Sequence, residues 1–142
     1  MRIEQRQVVR APRERVYAAW TDCEKWPEWD PETFTQVRVV QRAGNTVRIQ
    51  ARTRFMGLTM RRNETHTLTP PRKIEVNGDV PGIRNRTVWT FDETTDGTLL
   101  TAVLDIQPRT ILGFLGPLIK RQGQTVLREW MHALAQHVEA TS

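Results

Sequence analysis

Cysteine occurs once in this chain of 142 residues, as Cys23. A single thiol excludes an intrachain disulfide and any multi-cysteine zinc or iron–sulfur site. Lysine is scarce as well, with three residues against eighteen arginines. No apolar run approaches the roughly 18 residues needed to span a bilayer. The opening stretch MRIEQRQVVR is broken by charge every few positions, so it lacks the apolar core of a secretory signal. Internal repeats, low-complexity tracts and linkers are missing, as are a glycine-rich phosphate loop and a nucleophile elbow. These absences lead us to expect a single cytoplasmic domain over residues 1–142.

Hydrophobic residues make up 38% of the chain and charged residues 26%, a globular balance. At this length a chain buries about two-thirds of its unfolded surface, enough for a core. The net charge is +5 and the isoelectric point is near 10.3. That balance invites a nucleic-acid reading. Along the chain, however, the arginines are scattered from Arg2 to Arg128, with Arg61-Arg62 as the densest pair and no run of like charge. We therefore expect no nucleic-acid partner.

The hydrophobic period changes twice. Residues 3–10 alternate weakly into Ala11-Pro12, and proline suits a first helical turn. Val16, Ala19 and Trp20 then recur at helical spacing, and Lys25–Trp29 form a short second turn or helix that Asp30-Pro31 ends. After Pro31 the period is two. Val47, Ile49, Ala51, Thr53 and Phe55 alternate with Arg48, Gln50, Arg52 and Arg54, which describes an antiparallel strand with one wet side. Turns are expected at Ala43-Gly44-Asn45, Met56-Gly57, Pro70-Pro71, Asn77-Gly78-Asp79 and Asp96-Gly97. Pro108 closes the last strand. From Pro117 onward Ile119, Gly123, Val126, Leu127, Trp130, Leu134 and Val138 form the apolar stripe of one long helix. Strands grouped between helices make this an α+β chain.

The segment VVRAPRERVYAAWTDCEKWPEWDPE, with Ala11-Pro12, Val16, Asp22 and Trp26-Pro27-Glu28-Trp29, resembles the start of the START-like helix-grip proteins. These form the polyketide cyclase/dehydrase and coenzyme Q-binding superfamily. LTPPRKIEV, VWTFDETTDGTLLT and the closing amphipathic helix extend the resemblance in order over essentially the whole chain. It implies a curved antiparallel sheet of six to seven strands wrapped around the C-terminal helix, with two short helices after the first strand. It further implies an internal cavity for an apolar or aromatic small molecule. The superfamily's members include lipid carriers, quinone-binding proteins, hormone receptors and cyclases, and one fold hosting many functions leaves the activity open.

The strand from Leu58 is the most informative for chemistry. Leu58, Met60 and Leu68 share a parity and should face inward. The same parity turns Arg62, Glu64 and His66 inward, each roughly 6–7 Å from the next. Buried ionisable groups are costly unless paired with one another, water or a ligand. These three are the candidate catalytic residues: histidine is the side chain whose ordinary value lies near neutrality, so His66 could move a proton with Glu64, while Arg62 or Asn85 holds an oxyanion. The competing readings are a bulge that flips the strand and a purely structural Arg62–Glu64 pair. The cyclases that the chain resembles carry a serine and an arginine on this strand, and Glu64 and His66 stand in their place, so that mechanism does not transfer.

Candidate ligand contacts come from every layer. On the strands they are Phe34, Ile49, Phe55, Met60, Asn85, Thr87, Trp89, Phe91 and Leu104, besides the ionisable three. Trp29 beside Phe34 could form one lip of a mouth, the apolar stretch before the last helix offers Leu115, and the helix itself offers Ile119 and Leu127. The apolar stretch Ile111–Leu115 reads as a gate, a tip for transient membrane contact, or the packed entry to the last helix. His132 and His137 lie five apart, off a shared helical face, so no metal site is expected, and no cofactor is implied. Cys23 reads as a packed thiol.

Three functions fit: a carrier or binder of a lipid, quinone or aromatic polyketide; a cyclase or dehydratase using Glu64 and His66; or an interaction module. The chain could act as a monomer or a homodimer.

Overall fold

Alternating burial builds the strands and a 3–4 spacing builds the long helix. The computed structural model describes residues 1–55, 57–80, 83–108 and 115–141. Strand β1 (Arg2–Val9) leads to α1 (Arg13–Thr21), a single 3-10 turn at Cys23–Lys25 and the short α2 (Trp26–Trp29). Six strands follow: β2 (Phe34–Ala43), β3 (Thr46–Phe55), β4 (Leu58–Thr69), β5 (Lys73–Val80), β6 (Ile83–Thr94) and β7 (Gly97–Pro108). Helix α3 (Gly116–Ala140) closes the chain. All pairings are antiparallel, and the strands form one sheet in the order β1-β7-β6-β5-β4-β3-β2. This curved sheet gripping a long C-terminal helix is the helix-grip architecture that the resemblance implied, within the α+β class expected from the pattern.

The core lies between the sheet's inner face and the helices. At 1.5 Å per residue, the 25 residues of α3 run about 37 Å. Its buried positions include Ile119, Gly123, Leu127, Trp130, Leu134 and Val138, the stripe expected from sequence. Helix α3 packs along β1, and α1 and α2 pack against α3. Gly123 faces the sheet at close range: a Cβ there would lie 3.1 Å from both Ile3 and Ile106. An aromatic layer joins the two sides. Trp20, Trp26, Trp89 and Trp130 contact one another edge-to-face at centroid separations of 5.1–6.2 Å. Such pairs add about 0.5–1.5 kcal/mol each beyond the area they bury.

Two local expectations fail. Asn77-Gly78-Asp79 is not a turn: β5 continues through it to Val80, pairing with β4 and β6. Gly78 is buried and supplies space rather than a bend. Leu58 does not face the core but is 61% exposed at the tip of the β3–β4 hairpin.

Candidate functional site

Strand β4 delivers Arg62, Glu64 and His66 to the inner face at alternate positions, as its period requires. Glu64 and His66 are buried. The three form one chain of contacts. Arg62 Nε is ion-paired with Glu64 Oε2. The other carboxylate oxygen, Oε1, lies 2.7 Å from His66 Nε2. Across the sheet, Arg62 Nη2 donates to Asn85 Oδ1 at 3.3 Å.

The space for this arrangement comes from Gly78, which lies between Glu64 and Asn85 in the strand register. A Cβ there would meet Asn85 Oδ1 at 2.5 Å and Arg62 Nη2 at 3.2 Å. A missing side chain on β5 therefore admits the amide and the guanidinium.

Electrostatics sort the roles. Burial by itself would raise the Glu64 carboxyl. The Arg62 charge and the hydrogen bonds from His66 and Arg62 outweigh it and hold the group at about 2. Glu64 therefore stays ionised at neutral pH, so His66 Nε2 donates its proton to Oε1. Two other groups show burial at work: the Cys23 thiol is pushed up to about 11, and the Asp30 carboxyl is raised, its Oδ1 accepting the Thr33 N–H at 3.3 Å.

A cavity of about 120 Å³ lies between the sheet and α3. Arg62, Glu64, Asn85, Thr87 and Thr53 give it a polar wall. Val76, Ile83, Leu104 and Ile106 line it from the sheet, and Ile119, Val126 and Leu127 from α3, with Trp20, Trp26, Phe34, Trp89 and Trp130 as its aromatic part. Among the residues expected from sequence, Phe34, Arg62, Glu64, Asn85, Thr87, Trp89, Leu104, Ile119 and Leu127 thus lie on the cavity.

Six candidates are elsewhere. His66 is 2% exposed and packs edge-on against Trp20 at 4.9 Å, away from the cavity surface. Ile49 is fully core. Phe91 packs against Tyr17 at 4.9 Å. Trp29 stacks on His137 at 5.4 Å and touches Trp130, fastening α2 to α3. Met60 and Leu115 are half-buried against the core. The Phe55 side chain and residues 111–114 of the apolar loop lie outside the described residues. Sequence reasoning missed Trp20, Trp26 and Trp130 as cavity lining, although Trp130 stood on the recognised stripe.

Among the described residues no His, Cys, Asp or Glu cluster could hold a metal ion, and no helix is long and apolar enough to cross a membrane.

Comparison with known proteins bears on the fold and family. A family model described as polyketide cyclase/dehydrase and lipid transport matches residues 9–135. A solved structure of TTHA0849 from Thermus thermophilus superposes with a TM-score of 0.89 at 22% identity, covering 100% of this chain and 99% of that one. The Zhui aromatase/cyclase from a Streptomyces species gives 0.84 at 14% identity, with 98% and 93% covered. A START superfamily protein from Mycobacterium smegmatis gives 0.85 at 18% identity, with 99% of both chains covered. At these identities the likeness shows the fold. No curated protein sequence matches the chain.

Proposed function

For a chain that belongs to the polyketide cyclase/dehydrase and lipid transport family, we propose binding of a small aromatic or apolar molecule that carries an acceptor oxygen, without chemical conversion. The observation that carries this reading is how the ionisable residues are used. Both oxygens of Glu64 are engaged, by Arg62 and His66, and its carboxyl is held at about 2. Such a group is a poor base near neutrality, where general acid–base catalysis works best with a pKa near the operating pH. His66, the residue suited to moving protons, sits behind Trp20 rather than on the cavity. What the cavity offers is a set of donors, from Arg62, Asn85 and the threonine hydroxyls, opposite apolar and aromatic walls.

Size narrows the ligand. Pockets for drug-sized molecules run roughly 300–1,000 Å³, whereas a cavity of about 150 Å³ takes up benzene. At about 120 Å³ this cavity suits a single ring, and a larger polyketide or quinone requires α3 to shift from the sheet.

Calorimetric titration with acetophenone and ethylbenzene tests the proposal, since only the ketone carries an acceptor. The ketone should bind several-fold more tightly, and Leu127→Trp, which fills the cavity, should abolish both while a melting curve confirms folding. Unchanged binding in a folded Leu127→Trp variant would sink the reading.

One observation favours an enzyme instead, a cyclase or dehydratase: Glu64 and His66 lie within hydrogen-bond reach, as acid–base partners must. His66→Gln separates the two readings. A binder keeps its ketone affinity and never turned over a polyketone substrate, whereas an enzyme loses a measurable cyclisation rate.

A further inference from the structure

Counted along the chain the arginines look scattered, but folded they are not. Residues 34–69, which are β2, β3, β4 and their turns, contain seven arginines, no lysine and one acid, Glu64. That segment carries a net charge of +6, and the remainder of the chain carries −1. The whole positive balance thus resides in three adjacent strands.

Strand register puts four of the arginines on the outer face, besides Arg54 at the end of β3. Arg38 lies opposite Gln50, Arg48 opposite Gln41, and Arg52 opposite Arg61, all of them exposed. Arg38 and Arg48 hold glutamine side chains at 3.0 Å and 3.3 Å. Among the described residues none of the four pairs with a carboxylate. The other half of the sheet differs: there Glu75 pairs with Arg86, and Glu4 with Arg6. Like charges directly across a strand pair are destabilising, so the Arg52–Arg61 pairing is a folding cost. Next to it a groove of about 210 Å³ is lined by Arg48, Gln50, Asn63, Thr65, Asn77 and one acid that the register pairs with Asn63, Asp79.

We propose that the outer face of β2–β4 docks an acidic protein surface. Composition favours this partner: protein interfaces are enriched in arginine and depleted in lysine, aspartate and glutamate, the pattern of this face. Guanidinium groups bind carboxylates in bidentate fashion, and the surrounding amides supply further hydrogen bonds. Nucleic acid fits less well. Among the described residues the face has no aromatic side chain for bases to stack on, and three strands spaced about 4.8 Å apart form a surface too broad to enter a groove as a helix or two-stranded ribbon does. A membrane surface fits less well too, because Val40 and, at the hairpin tip, Leu58 are the large exposed hydrophobic residues of these strands among those described, too few for an apolar face.

The test compares an oligo-glutamate peptide, a DNA duplex and phosphatidylserine vesicles at physiological salt, on wild type and the Arg52→Gln/Arg61→Gln double variant. The peptide should bind most tightly, with amide shifts confined to residues 34–69. The double variant should lose roughly tenfold in affinity while its Tm stays level or rises by about 1–3 °C, as repulsion is relieved. Ketone uptake by the cavity should not change, which keeps this proposal separable from the preceding one. Peptide shifts elsewhere, equal affinity in the double variant, a fall in Tm, or tighter binding of DNA or vesicles would each overturn it.

Discussion

Strand β4 carries charge on both of its faces, and the two faces handle it in opposite ways. Inward, Arg62, Glu64 and His66 neutralise one another within a few ångströms, and Asn85 takes up a further guanidinium N–H. Outward, Arg61 faces Arg52, and among the described residues neither pairs with a carboxylate. Residues one position apart therefore belong to different physical regimes. The inner charges were removed from water and had to be paired, whereas the outer ones stay hydrated and can wait for a partner. An inner substitution should therefore register first in stability and an outer one first in binding.

The largest effect should come from breaking the inner chain at its centre. Glu64→Leu strands Arg62 and His66, and urea denaturation should show a loss of about 3 kcal/mol, the lower end for a broken buried pair because Arg62 is partly exposed. Gly78→Ala should follow, at about 1–3 kcal/mol, because the new methyl displaces Asn85 and Arg62. A loss below about 0.5 kcal/mol would mean that Asn85 swings aside freely.

Acid should separate the faces without mutation. The Glu64 carboxyl sits at about 2 in the folded chain against an ordinary value of 4.5, so it binds its proton more readily when unfolded. Its contribution is complete above about pH 4.5 and disappears as the pH falls toward 2. Melting curves over that window should decline for wild type and flatten for Glu64→Gln, while Arg52→Gln/Arg61→Gln keeps the wild-type slope. The smallest effect concerns Cys23. Buried and pushed up to about 11, its thiol should resist iodoacetamide at neutral pH in the folded protein, and rapid alkylation would show that the layer around α1 opens.

The same contrast shows what the sequence made legible. Parity along β4 placed Arg62, Glu64 and His66 inside, and the 3–4 stripe placed Ile119, Leu127 and Trp130 on α3's buried face, because both rest on local periodicity. Which of the inner residues border empty space was not local. His66 and Ile49 share parity with the cavity wall yet pack behind it, since that depends on how α1 and α3 lie across the sheet. Gly78 misled because Asn-Gly-Asp has turn composition, while its actual reason is a cross-strand amide. The arginine face was hidden because charge was counted along the chain, whereas strand pairing brings together residues as distant as Arg38 and Arg61.

The central claim is that the space between the sheet and α3 receives a small molecule bearing an acceptor oxygen. Intermolecular nuclear Overhauser effects from bound acetophenone test it most directly. The account predicts contacts to Leu127, Trp130, Thr87 and the Asn85 amide, with the methyl ketone end nearest Asn85. Contacts confined to the outer face of the sheet, or none at saturating ketone, would contradict it.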